Sequence, residues 1–175
     1  MKICQIHPAC GISIPPKGWG AIEQIVWEFH QNLLKLGIKS KIKFVDDIKK
    51  DEFDIVLCHV HNLAHILKEK EIPYIYQLHD HHVYFNGVES EVYKSNKKAI
   101  KNSITSLIPA KYLVDYMGKD KCQYFSHGVN TDIYHPSNKR KTRDLLMVAN
   151  NGLAGDNTFD RKGFGFGIGL AQLLD

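Results

Sequence analysis

Apolar residues along this chain fall into short blocks separated by stretches of helical period. Residues 2–7 form the first block and predict a strand; a loop containing Gly and Pro follows. Ile22, Ile25, Val26, Phe29, Leu33 and Leu36 then recur at helical spacing. Gly37 stands where a glycine would end that helix. Residues 39–45 alternate as a strand, 54–60 are nearly continuously apolar, and a helix is predicted over about 62–70. Pro73 opens a strand over 74–79. A loosely amphipathic helix is predicted over about 89–102, a strand over 104–108, a helix through Met117 with Pro109 in its first turn, and a strand over 122–125.

Strands that alternate with helices, several of them apolar on both faces, predict an α/β fold: a Rossmann-like parallel sheet with helices on both faces. Such sheets bind ligands beyond the carboxyl ends of their strands. After Pro136 the chain turns polar, and a new apolar strand, 145–149, begins, followed by a loop rich in Gly and Asn and a helix over 163–174. The expected organisation is therefore a first domain with its linker over 1–143, and over 144–175 the opening strand and helix of a second. One strand and one helix cannot bury a core. The expectation is that the second domain is incomplete, and that an unpaired 145–149 strand would promote self-association through its apolar edge.

The chain has 175 residues, 43% of them hydrophobic and 24% charged, and a mean hydropathy of -0.28, which fits an ordinary globular domain rather than a disordered one. No apolar run approaches the roughly 18 residues that a spanning helix needs, so membrane contact is not indicated. The N-terminus lacks the apolar stretch of a signal peptide, and a cytoplasmic location is expected. The net charge of +4 is mild, and its one basic run, 139–143, has no interleaved aromatics, so nucleic acid is not an expected partner. Cys4, Cys10, Cys58 and Cys122 show no Cys-x-x-Cys spacing and read as free thiols of a reducing compartment.

Three features could carry chemistry. Between Ile14 and Glu23, a loop with Gly18 and Gly20 leads from the first strand's carboxyl end to a helix N-terminus, where backbone N–H groups favour an anion; the alternative is a turn that merely needs glycine. Histidines stand at strand ends: His59 and His61 after the third strand, and His79, His81 and His82 around Asp80 after the fourth. Metal binding is one reading, since His59 and His61 would share a strand face and His65 lies one helical turn after His61. Yet the H-x-H-x-D-H pattern of binuclear zinc hydrolases would need Asp where Leu63 stands, so cleft-lining or incidental histidines are the competing readings. The third feature, 124–136, contains His127 and Gly128 at a predicted turn.

Taken in order, these segments resemble the family 4 glycosyltransferases, whose GT-B fold faces two Rossmann-like domains across a cleft. Pro15 through Glu23 resembles that family's P-P-x-G-Y-G-G-x-E loop, and Lys35 through Ile38 its helix-ending R-G-H. The 54–61 segment is similar to D-V-V-H-A-H, 73–80 to P-V-V-x-T-x-H-D, and 127–136 to N-G-V-D-x-x-x-F-x-P. Residues 145–149 and Arg161 through Phe164 resemble the strand and the R-K-G that open the donor domain.

The resemblance implies transfer of a sugar from a nucleotide diphosphate sugar to a carbohydrate or glycoconjugate acceptor with retention of anomeric configuration, without a metal and with no cofactor. Under it, His79 is the catalytic residue. Gly18, Gly20, Ala21, Arg161 and Lys162 serve the donor phosphates and substrate, and His59, His61, Asp80, His127 and Gly128 line the cleft. Ala21 replaces the family's second glycine, Asn150 or Asn151 stands at its usual arginine, and its paired glutamates would fall beyond Asp175, so the chain is expected to be inactive alone. Two other classes compete: a non-catalytic module that binds a glycan or nucleotide, and a histidine-rich metal-dependent hydrolase.

Overall fold

The computed structural model describes residues 1–8, 11–18, 20–79, 90–129, 131, 132 and 172. Two compact units divide the chain, Met1–Thr131 and Asp132–Asp175. Asp80, Arg161, Lys162, the 145–149 strand and the 163–174 helix lie outside the described residues, and the fold that follows is that of the first unit.

Its elements run β1 (Lys2–Ile6), α1 (Ala21–Lys35), β2 (Lys39–Lys43), a 3-10 turn (Val45–Asp47), β3 (Ile55–Cys58), α2 (His61–Glu69), β4 (Ile75–Gln77), α3 (Glu91–Asn102), β5 (Ser106–Ile108), α4 (Lys111–Met117) and β6 (Cys122–Tyr124). The six strands form one sheet in the order β2-β1-β3-β4-β5-β6, every pair parallel. The fold is thus α/β and Rossmann-like. The chain steps outward from β1 to β2, then back across β1 to β3, and continues in that direction to β6. Because parallel crossovers are right-handed, α1 covers one face and α2, α3 and α4 the other.

Side-chain alternation agrees with this division. Cys4, Ile6, Val56, Cys58, Tyr76 and Ile108 belong to the core cluster that includes Leu63, Leu67, Ala99 and Leu113 from the three helices. Gln5 points the other way, and its Nε2 donates to the Val26 carbonyl of α1 at 3.0 Å. Burying each such aliphatic side chain contributes about 1.5–3 kcal/mol. Helix α3 is polar for a packed helix, and two tyrosines explain its docking. The Tyr74 hydroxyl donates to the Ala99 carbonyl at 2.9 Å, and the Tyr76 hydroxyl to Asn96 Oδ1 at 2.6 Å. Both phenols are buried and pushed upward in pKa by that burial, so they act as permanent donors.

Local signals set most element ends. At the end of α1, Gly37 takes φ +74, its N–H bonds the Leu34 carbonyl, and the Ile38 N–H bonds that of Leu33, both at 2.9 Å, a Schellman cap. Ser90 caps α3 by accepting the Tyr93 N–H at 3.2 Å. Two expectations shift. The strand expected over 39–45 closes at Lys43, because the chain turns at Val45–Asp47 and Lys70 Nζ draws the carbonyls of Val45 and Asp46 to itself at 2.9 Å each. Pro109 lies before α4 rather than in its first turn. The ladder still holds Ile108, whose carbonyl takes the Phe125 N–H, and Ala110 is still extended as the N-cap.

Candidate functional site

The strand order reverses between β1 and β3, and at such a switch point ligands of these folds bind beyond the carboxyl edge of the sheet. The chain leaves β1 through His7 and reaches α1 through the glycine loop. Gly20 is the N-cap of α1 with φ +139. A Cβ there would stand 3.0 Å from Pro16 Cβ and 3.1 Å from both Ile12 Cγ2 and Glu23 Oε2, so both conformation and space require glycine. Gly18 also has a positive φ, +91, with open space around it. Ala21 opens the helix without a positive φ, so its methyl is accommodated in place of a glycine.

Glu23 in the first turn of α1 is buried, at 3% exposure. An acidic side chain at this end of the helix dipole is favourable. His7 feels Glu23 as well: burial lowers its pKa and the carboxylate partly offsets the effect.

His59 follows β3 directly, and His79 stands two residues past Gln77, the last residue of β4. Leu78 still donates to the Leu107 carbonyl at 3.0 Å, so His79 is the first residue past that ladder, and it shares the strand parity of Gln77, on the α1 side of the sheet. His59 follows Cys58 with the parity of Leu57. Their rings meet: His59 Nδ1 and His79 Nε2 are 3.1 Å apart, with centroids at 5.4 Å. The His127 ring lies 5.4 Å beyond His79, so three histidines form a row.

His59 and His79 stay uncharged at neutral pH. Burial pushes His59 down to about 3, with His79 and His127 adding to the effect, and burial followed by His127 pushes His79 down to about 4. In a neutral pair one ring donates and the other accepts, so the bond couples the two tautomers. His59 Nε2 is buried with no hydrogen-bond partner. A neutral imidazole held this way can donate to or accept from a ligand hydroxyl without first losing a proton.

His61 does not join the row. The strand ends at Cys58 and His61 opens α2, so the two histidines do not share a strand face as the sequence spacing predicted. His61 Nδ1 instead lies 2.8 Å from Ser95 Oγ on α3. His127 is exposed, and Gly128 has open space where a side chain would be and no positive φ. Among the described residues, no group of three or more His, Cys, Asp or Glu side chains is disposed to hold a metal, and no helix is long and apolar enough to cross a membrane.

Sequence reasoning left two polar residues without a role. Glu23 stood inside the glycine motif, and its placement three residues after Gly20 signalled a first-turn carboxylate. Ser95 carried no local signal, because its partners are 30 and 34 residues away. No protein-family model matches the chain, and no curated protein matches it.

Proposed function

We propose that this chain carries the acceptor-side domain of a retaining glycosyltransferase of the family 4 kind, working in the cytoplasm on a nucleotide diphosphate sugar and a carbohydrate or glycoconjugate acceptor. The observation that carries the reading is the buried, neutral His59–His79 pair at the carboxyl ends of two central strands, beside the strand-order reversal. In this reading the sugar's bond to the diphosphate breaks as the acceptor oxygen bonds to the same face, and the acceptor's hydroxyl proton passes to the departing diphosphate oxygen. His79 hydrogen-bonds the transferred sugar, and His59 is a positioning residue that holds the His79 ring and its tautomer. The Gly18–Gly20 loop, with Glu23 behind it, faces acceptor hydroxyls. Arg161 and Lys162 are assigned to the diphosphate, where a pre-positioned cation stabilises the leaving group.

The histidine ring resonances of the 175-residue chain report on this directly. Titration with UDP-sugars and GDP-sugars should shift His79 and His127, and His79→Ala should weaken that binding about tenfold or more, the loss of roughly 1.4 kcal/mol. If no nucleotide sugar moves these resonances, the reading fails. Shifts caused by free glycans alone would select the non-catalytic binding module.

A further inference from the structure

The second histidine group lies between two helices, in a layer the proposed chemistry does not use. His61 and His65 are four residues apart on α2 and so lie on one face, a turn apart. Their rings converge on one atom: His61 Nδ1 is 2.8 Å and His65 Nε2 2.7 Å from Ser95 Oγ on α3. The hydroxyl has a single proton, so at least one imidazole must donate its own N–H to it. Two imidazole nitrogens aimed at a common point from positions i and i+4 are the donor arrangement that chelates a transition metal on a helix.

We propose that His61 Nδ1, His65 Nε2 and Ser95 Oγ form a binding site for a tetragonal divalent ion, Cu²⁺ or Ni²⁺, that bridges α2 and α3. Two nitrogens and one oxygen, with water completing the shell, suit these ions better than the three or four protein ligands of a Zn²⁺ site. Inward rotation of the two rings brings each nitrogen from hydrogen-bond distance toward the roughly 2.0 Å of a metal–imidazole bond. Binding requires neutral rings, and His65 is held below its ordinary pKa by burial and by Lys98, against a smaller upward pull from Glu69. The Lys98 charge also opposes the bound cation and Glu69 favours it, so the site is of moderate affinity. His65 Nδ1 is already buried without a partner in either tautomer, so placing the metal on Nε2 creates no new unpaired group.

The test is Cu²⁺ titration of the 175-residue chain, followed by the histidine ring resonances. Paramagnetic broadening at substoichiometric Cu²⁺ should strike His61 and His65 first, with His30 on α1 unaffected. Broadening that begins at His59, His79 or His127 overturns the proposal. Calorimetry should give one equivalent in the parent chain, about tenfold or more weaker binding in His65→Gln, and an intermediate loss in Ser95→Ala, which keeps both nitrogens. Equal affinity in the parent chain and His65→Gln overturns it as well. The broadening measurement needs no variant, so a His65→Gln chain that fails to fold leaves the proposal decidable.

Discussion

Two groups of histidines, separated in sequence by as little as one residue, meet opposite environments. His59 and His79 extend from β3 and β4 on the α1 side of the sheet, where their rings stack on each other and His79 also meets His127. His61 and His65 sit half-buried between α2 and α3, where a serine hydroxyl receives both rings. In the first group, burial and like neighbours push the rings to about 3 and about 4; in the second, a neutral hydroxyl satisfies one nitrogen of each. The residue type therefore does not determine the role. Whether a histidine stands one residue past a strand or at the opening of the next helix decides which side of the sheet it serves.

The largest test of this contrast is acid. The ordinary histidine value is 6.5, and the folded values of His59 and His79 lie at about 3 and about 4. Below pH 6.5 the unfolded chain gains protons that the folded chain does not take up. Stability from this pair is thus intact above pH 6.5 and is lost as pH falls toward 4, at about 1.4 kcal/mol per pH unit for each group. Urea titrations from pH 7 to pH 4.5 should show that slope, and it should shrink in His59→Gln. An unchanged slope would mean the pair is not held neutral by the fold.

Next in size is His79→Ala: under the proposed transferase reading, it is expected to lower the transfer rate of a complete two-domain enzyme about 10²-fold or more with little loss of stability. A large fall in melting temperature with unaltered kcat would place His79 among the structural residues instead. His59→Ala should do the reverse to stability, costing about 2 kcal/mol through a cavity and an unpaired His79 nitrogen. Denaturation midpoints unchanged from the parent would contradict that packing. Ser95→Ala should be the mildest, about 1 kcal/mol in the absence of metal, because the two rings it releases are half-buried and water can reach them. A loss comparable to that of His59→Ala would erase the distinction between the groups.

The sheet was legible because its strands are short apolar blocks. Ile55–Cys58 and Ile75–Gln77 lie inside the stretches predicted, and α1 ends where Gly37 indicated. What could not be read locally depends on partners far along the chain. The 39–45 strand was cut short by Lys70 at the C-cap of α2, and Pro109 was kept out of α4 by the continued ladder to β6. For the site, His59 and His79 were legible as strand-end histidines, while the 3.1 Å contact between them depends on β3 and β4 being neighbours. His61 was misplaced because a period of two was carried past the strand's end. The roles of Glu23 and Ser95 required the packed structure.

The strand order also ranks how easily the parts of the site can open. β3 and β4 are each hydrogen-bonded on both sides, whereas β6, among the described residues, is paired only with β5. Fluctuations that free the end of a sheet release a border strand at lower free energy than an interior one. Amide exchange at Leu57 and Gln77 should consequently follow global unfolding, and exchange at Gln123 should be faster. His127, attached beyond β6, can depart from the histidine row through such a partial opening, while His59 and His79 remain fixed to each other for the lifetime of the folded unit.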